Sequence, residues 1–360
     1  MSAVVQIAHR ALRAVSDGWD GPEVARVLRV HDEPCVHVGD WAVHRALTAD
    51  PAGYLRHLRA RLAEIAAGER RLELSPKTIF SDGDGDFRVM PCVTGSGRDA
   101  VKTVKVVGTN LRGEVVPDQI TVGRAVRLHP LENFVTHLFD ACVLSSARTG
   151  ACAALAVDLL APAARSVALV GAGRVAFYGA LYLSAASEDL RLVVTDGSPG
   201  RADALVAALR SGGVAAGARP FAAAVADADA VVLATTSRTV LLAPADTRAR
   251  CVVSMGADAV GQHELAPDWT QEAAVYADCA DAREVGDLRA WEAAGLLAAP
   301  PPTLLDLLRT PRLPPRRSVF VSSGSALFDN LTIEYLLDAP GAGMLEPADD
   351  ERPHDLRRDA

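Results

Sequence analysis

The sequence predicts an α/β protein whose second half builds a parallel sheet with helices on both faces. Two observations carry that expectation. From Ser166 onward, short apolar runs at 167–170, 190–195, 230–234, 251–254 and 274–277 alternate with helical segments, which is the pattern of a βαβ series. The runs lack polar alternation, as expected of strands covered on both faces. The first run also opens into Gly171-Ala-Gly-Arg-Val-Ala176 and a helix, and Asp196 closes the second run, Leu190–Asp196. A strand, a Gly-x-Gly-x-x-Ala turn, a helix and then an acid form the dinucleotide-binding fingerprint in its proper context. Gly171 permits the tight turn, Gly173 lets the backbone approach a pyrophosphate, and Ala176 keeps the helix close to the sheet. The helix N-terminus offers free N–H groups and a positive dipole end to phosphates.

The first half is less regular. Residues 1–26 are weakly patterned and read as an N-terminal extension, followed by short strands at Val27–His31 and Cys35–Val38. Asp50–Gly68 is an amphipathic helix with Asp50 as N-cap, Pro51 in the first turn and Gly68 at its end. Residues 77–126 alternate β-like runs with Gly/Asp turns, Val101–Val107 being the clearest strand, and Val126–His129 and Phe134–Phe139 continue the sheet. Ser145–Leu160 is Ala-rich and helical. The Asp-Gly alternation at 82–86 lacks the downstream Glu of a calcium loop and reads as a hairpin turn. Residues 300–315 form a Pro-rich connector, a helix follows near Asp329–Leu337, and residues 339–360 have the composition of a disordered tail. No internal repeat is present.

Composition narrows the functional classes. A chain of 360 residues with 49% apolar content holds two ordinary domains. The net charge of −8 argues against a nucleic-acid partner, and 5% aromatics argues against base-stacking platforms. No apolar run reaches the roughly 20 residues of a membrane span, and the first ten residues lack a signal-peptide layout. A cytoplasmic protein with no membrane partner is expected. The six cysteines show no metal-ligand spacing, so buried free thiols and no metal are expected.

An enzyme built on such a cofactor site needs cations to hold substrate carboxylates and a group that moves protons. Several separate stretches supply such residues in a recognisable order. Ser145-Ser-Ala-Arg-Thr-Gly-Ala-Cys, just before the fingerprint, resembles the Arg-Thr-Ala/Gly-Ala segment of the ornithine cyclodeaminase/mu-crystallin family. Met90-Pro91, Lys102 eight residues before Asn110, Gly256-Ala-Asp258 with Glu264-Leu, and Gly324-Ser-Ala-Leu-Phe-Asp329 resemble further motifs of that family, over about residues 27–337. The resemblance implies a split α+β substrate and dimerisation domain with the Rossmann domain inserted in it. The bounds are 27–144 for the first part, 145–317 for the Rossmann domain and 318–338 for the returning segment. It implies a homodimer.

The resemblance also implies roles. Arg148 binds the substrate α-carboxylate, with a helix start at Thr149 and Gly150 adding N–H donors. Lys102 bonds the substrate or activates a water, Asp258 faces the substrate amine, and Met90 and Lys77 complete the substrate wall. The cofactor is held by Gly171, Gly173, Arg174, Val175, Ala176 and Asp196, with Thr149, Thr235, Gly256 and Asp329. Asp196 favours ribose hydroxyls over a 2′-phosphate, hence NAD over NADP, although Arg201 lies nearby. Lys77 stands where many cyclodeaminases carry Arg, and it resembles the branch that oxidises N-(2-amino-2-carboxyethyl)-L-glutamate in 2,3-diaminopropionate biosynthesis. The expected activity is therefore NAD-dependent oxidation at the Cα–N bond of an amino acid or N-substituted amino acid. The alternatives are an ornithine or lysine cyclodeaminase, an imine reductase or alanine dehydrogenase-like enzyme, and a non-catalytic ligand-binding protein.

Overall fold

In the computed structural model of the chain, residues 21–338 are described apart from 30, 82–84, 188, 260, 311–313 and 315. Most of the expected extension and all of the expected tail lie outside the described residues. Among the described residues, 21–34 belong to one unit and 35–338 to another. In the first unit, Pro22–Leu28 is a helix with Pro in its first turn, ended by Arg29 in the left-handed region at φ 49°. The short strand expected at 27–31 is thus corrected. Val27 and Leu28 belong to the last helical turn, where the φ preset by Pro22 agrees with a helix.

The larger unit holds two sheets, each of seven strands among the described residues. The first uses β1 (Val36–Val38), β2 (Leu72–Leu74), β3 (Thr78–Ser81), β4 (Asp86–Thr94), β5 (Val101–Thr109), β6 (Thr121–Leu128) and β7 (Val135–Asp140). Its order is β1-β7-β6-β5-β4-β2, with β3 also on β4. All pairs are antiparallel except β1 on β7. Antiparallel strands expose alternate residues to opposite faces. Met90, Cys92, Thr94, Thr103, Lys105 and Val107 point to the buried face. There the helix Ala326–Asp338 covers them, and its Asn330 donates from Nδ2 to the carbonyl of Val101 (2.9 Å) and to Thr103 Oγ1 (3.0 Å). The other face carries Phe87 and Val106, exposed to 47% and 44%, and half-buried Val89, Pro91, Val104, Val122 and Val126. Phe80 and Phe87 stack there at 4.7 Å between ring centroids.

The second sheet is wholly parallel, as the unbroken apolar runs predict. It consists of β8 (Ser166–Val170), β9 (Arg191–Thr195), β10 (Ala216–Ala218), β11 (Ala230–Leu233), β12 (Cys251–Ser254), β13 (Ala273–Ala277) and β14 (Arg317–Val321), in the order β10-β9-β8-β11-β12-β14-β13. The order reverses between β8 and β11, and ligands of open α/β sheets lie outside the strand ends at such a point. β14 corrects one expected boundary: residues 317–321 pair with β12 and β13, so the chain leaves this sheet only after Val321 and not at 318. The Pro-rich connector also contains an unexpected helix, Leu304–Arg309, started by a Thr303/Asp306 capping box.

The two sheets are joined by the helix Ala141–Leu160. It is apolar enough by length and composition to cross a bilayer, which the sequence reading did not anticipate, but 78% of its apolar window is buried inside the fold. Gly150 is required at its centre, because a Cβ there would lie 2.5 Å from the backbone nitrogen of Gly179 on the helix Arg174–Ala186. Of the cysteines, Cys92, Cys142, Cys152 and Cys251 are buried, Cys279 is half-buried and Cys35 is exposed; all are free.

Candidate active site

The glycine turn leaves β8 directly below the switch point. Gly171 sits at φ 104°, a region L side chains rarely adopt, and a Cβ there would lie 2.4 Å from the carbonyl oxygen of Ala234 after β11. Gly173 caps the helix Arg174–Ala186 with no side chain in the way. Asp196, just past β9, accepts from the backbone nitrogens of Ala172 (2.8 Å) and Ser198 (2.9 Å), which fixes its carboxylate at the edge of the turn. These residues line a cleft of about 820 Å³ together with Arg201, Phe221 and Thr235. A bare helix end, a turn that excludes a Cβ and an acid at the second strand fit the phosphates and ribose of a dinucleotide.

Thr235 is anchored from below. Its backbone nitrogen and its Oγ1 both donate to Glu264 Oε1, at 2.9 and 2.7 Å. Glu264 Oε2 accepts from Ser254 Oγ at 2.7 Å and from the nitrogen of Gly256 at 3.0 Å. Glu264 is fully buried, and burial raises its pKa despite these four donors. It ties the ends of β11 and β12 together under the cleft.

A second cavity, of about 200 Å³, opens beside the first and shares Ile120, Thr121, Ser146, Val175, Ala234, Thr235 and Thr236 with it. Its remaining wall is charged. Arg148, mid-helix, and Lys105, on the buried face of β5, both reach Asp329: Arg148 Nε donates to Oδ1 at 3.0 Å, and Lys105 Nζ lies 2.7 Å from Oδ2. Lys105 also donates to Ser145 Oγ at 3.2 Å. Lys105 and Asp329 are each 1% exposed. Burial pulls the Lys105 amine down to about 8, against the pull of Asp329 in the other direction. Across the cavity, Arg88 from β4 donates from Nη1 to Asp258 Oδ2 at 3.1 Å and from Nη2 to Asp86 Oδ2 at 2.9 Å.

The wall is therefore polarised. Two cations share the single carboxylate of Asp329, and two carboxylates share the single guanidinium of Arg88. The first end suits a carboxylate and the second an ammonium, the two charges of an α-amino acid. Among the described residues only Nε of Arg148 is bonded within the protein, and its Nη atoms pack against Gly324 at the cavity wall.

Several expected site residues meet here. Met90, Arg148, Thr149, Val175, Thr235, Gly256 and Asp258 line the second cavity, while Gly171, Gly173, Arg174, Val175 and Asp196 line the first. Ala176 is buried against the sheet, as its expected role of close packing requires. Arg174 also donates to the carbonyl of Asp118 at 3.2 Å.

Four expectations are corrected. Lys102 is on the outer face of β5, and its amine bonds Asn133 Oδ1 at 2.5 Å; residues three apart on a strand point to opposite faces, so Lys105 is the lysine of the cavity. Thr149 and Gly150 are not at a helix start, because the helix begins at Ala141 and their N–H groups lie within it. Asp329 is sealed behind Lys105 and Arg148 and lines neither cavity, so it holds the two cations and not the cofactor. Lys77 stands behind the wall, its Nζ donating to the carbonyl and Oγ of Ser323 at 2.9 and 2.8 Å.

Arg88, Asp86, Lys105 and Glu264 were not assigned from sequence. Alternation counted from buried Met90 places Arg88 on the same face, and this was the available signal. Among the described residues no group of three or more potential metal ligands occurs.

Comparison with known proteins bears on the family and the fold. A family model described as the ornithine cyclodeaminase/mu-crystallin family matches residues 43–304. A curated L-lysine cyclodeaminase of Streptomyces rapamycinicus is 30% identical over 297 residues, covering 77% of this chain and 84% of that protein. Among solved structures, an archaeal alanine dehydrogenase dimer with bound NAD superposes with a TM-score of 0.76 at 18% identity, covering 87% of this chain and 98% of that one. A lysine cyclodeaminase analysed for recognition of L-lysine, L-ornithine and L-2,4-diaminobutyric acid gives a TM-score of 0.69 at 26% identity, covering 90% and 100%.

Proposed function

The chain belongs to the ornithine cyclodeaminase/mu-crystallin family, and from that premise we propose that it is an NAD-dependent enzyme acting at the Cα–N bond of an amino or imino acid. The observation that carries this reading is the continuity of the two cavities. The nucleotide cleft and the charged cavity share Val175 and Thr235, so a nicotinamide reaching along the cleft faces the polarised wall. NAD, when bound, supplies the acceptor for the hydride that leaves Cα. The protein's own groups do the rest. Arg148 and Lys105 hold the α-carboxylate, and Asp329 keeps both cations in place. Asp258 accepts a proton from the substrate nitrogen, so that its lone pair is free as the hydride leaves. Asp196 takes the ribose hydroxyls. Structural relatives with NAD or diamino acid ligands support the class of reaction.

Within that class we read the substrate as an N-substituted amino acid such as N-(2-amino-2-carboxyethyl)-L-glutamate. Three buried cations, Arg88, Lys105 and Arg148, line the cavity, and the Lys77 amine bonds to Ser323 of its wall. Arg88 is matched by Asp86 and Asp258, and Asp329 offsets one of Lys105 and Arg148, so the support for this substrate is Lys77, which stands where many cyclodeaminases carry Arg. A cyclodeaminase is the second reading, favoured by the 30% identity to an L-lysine cyclodeaminase. Following reduced-cofactor absorbance separates them. Net accumulation with N-(2-amino-2-carboxyethyl)-L-glutamate is the expected result. Turnover of L-lysine or L-ornithine without accumulation establishes the second reading, and failure to bind NAD overturns both.

A homodimer completes the proposal. Phe87 and Val106 on the open face of the first sheet, flanked by half-buried Val89, Val104 and Val122, form an apolar surface that a second copy covers. Val106→Glu should convert a dimer to a monomer in sedimentation equilibrium; an unchanged mass refutes this face as the interface.

A further inference from the structure

We infer that Arg88 is the positioning residue for Asp258, and that it carries this hold from the antiparallel sheet to the loop after β12. The inference rests on the reading that Asp258 handles the substrate nitrogen. Asp258 stands on an irregular segment, and its side chain is 43% exposed. The backbone nitrogens of Asp258 and Ala259 donate to Gln262 Oε1 at 3.2 and 3.0 Å, which fixes the turn but not the carboxylate. A partly exposed aspartate on a loop samples several rotamers unless a partner selects one.

Arg88 is that partner. It is only 8% exposed, on β4, which is paired along both edges, and is itself held by Asp86. Asp86 Oδ1 in turn accepts from Thr109 Oγ1 on β5 at 2.9 Å. A bonded series, Thr109–Asp86–Arg88–Asp258, therefore runs from two paired strands to the cavity wall. The guanidinium is a planar fork, so its two terminal nitrogens hold the two carboxylates at a fixed angle, which a lysine ammonium does not do. Arg88 Nε is buried without a partner, so the two terminal contacts place the side chain. Arg88 bonds Asp258 through Oδ2 alone, which leaves Oδ1 for the substrate amine. A purely structural arginine would be satisfied by Asp86; the second carboxylate belongs to the cavity.

The test uses the full chain loaded with NAD and two probes, N-(2-amino-2-carboxyethyl)-L-glutamate and L-lysine. Misplacing a catalytic group by about 1 Å lowers rate by roughly 10²-fold. Arg88→Gln should therefore lower kcat by about that factor with little change in KM, Asp86→Asn should lower it less, and Arg88→Lys should restore part of it. A crystal structure of Arg88→Gln should show the Asp258 carboxylate turned away with β4 unmoved. This measurement decides the matter even if neither probe is turned over, and Arg88→Met, which keeps the length of the side chain without its charge, replaces the Gln variant should that fail to fold. Asp258 unmoved in that structure, wild-type kcat, or a raised KM at unchanged kcat would overturn the inference, the last because it marks direct substrate binding. Asp258→Asn separates the two levels. If it retains full turnover, the role of Asp258 fails; if it is inactive while Arg88→Gln is not, only the role of Arg88 fails.

Discussion

Asp329→Asn perturbs the site at its most buried charge. The carboxylate is sealed with Lys105 Nζ at 2.7 Å from one oxygen and Arg148 Nε at 3.0 Å from the other. Asparagine keeps the volume but removes the charge, and it turns an amide donor toward one of the two cations. Removing one partner of a buried ion pair costs about 3–5 kcal/mol, because the remaining charge is left uncompensated. Here two cations are stranded in place of one. Lys105 has a way out: its amine already sits near 8, and without Asp329 it loses its proton at a lower pH still. Relief by deprotonation places the expected loss toward the lower end, about 3 kcal/mol. Urea denaturation monitored by far-UV circular dichroism reads this loss. Adding Lys105→Met to Asp329→Asn should return part of the stability, because one stranded cation is gone. A loss below about 1 kcal/mol for Asp329→Asn, or costs of the two substitutions that simply add, would refute the shared-carboxylate account.

Two further outcomes follow from the same geometry. Lys105 is charged below about pH 8 and neutral above it, so its grip on a substrate carboxylate is present below that pH and lost as pH rises through it. KM for the amino-acid substrate should climb above about pH 8, and Lys105→Arg should flatten that rise; a KM independent of pH up to 9.5, roughly a unit and a half above the group, would contradict it. Gly171→Ala forces a side chain onto φ 104° with its Cβ 2.4 Å from the Ala234 carbonyl. NAD affinity measured by calorimetry should fall by about tenfold or more, from strain of about 1–3 kcal/mol, and unchanged affinity would show that the turn does not cradle the cofactor.

Much of this arrangement is legible in the sequence. The parallel sheet followed from uninterrupted apolar runs, and the cofactor turn from glycines whose spacing has one backbone explanation. Asp50, Pro51 and Gly68 marked a helix at both ends, and Asp50 does accept from the nitrogen of Gly53 while Gly68 sits at φ 78°. What failed was phase. On β5 a decision between Lys102 and Lys105 depends on which residues face the helix Ala326–Asp338, and that contact joins residues more than 220 positions apart. Arg88 was missed for the same reason, since its partner Asp258 arrives from another sheet. β14 was placed in the wrong domain because a short apolar strand carries no mark of the sheet it joins. The helix start at Ala141 was missed because its own N-cap residue, Asp140, makes no side-chain cap; the carboxylate that accepts from the nitrogen of Val143, at 2.8 Å, belongs to Asp40, far away in the chain.

A crystal structure of the chain with NAD and a bound amino-acid substrate tests the central claim most directly. The account predicts the dinucleotide over the 171–176 turn, its nicotinamide at the boundary marked by Val175 and Thr235, and the substrate carboxylate on Lys105 and Arg148 with its nitrogen at Asp258. A substrate carboxylate seated away from Lys105 and Arg148, or a nicotinamide ring turned out of the shared boundary, would contradict it.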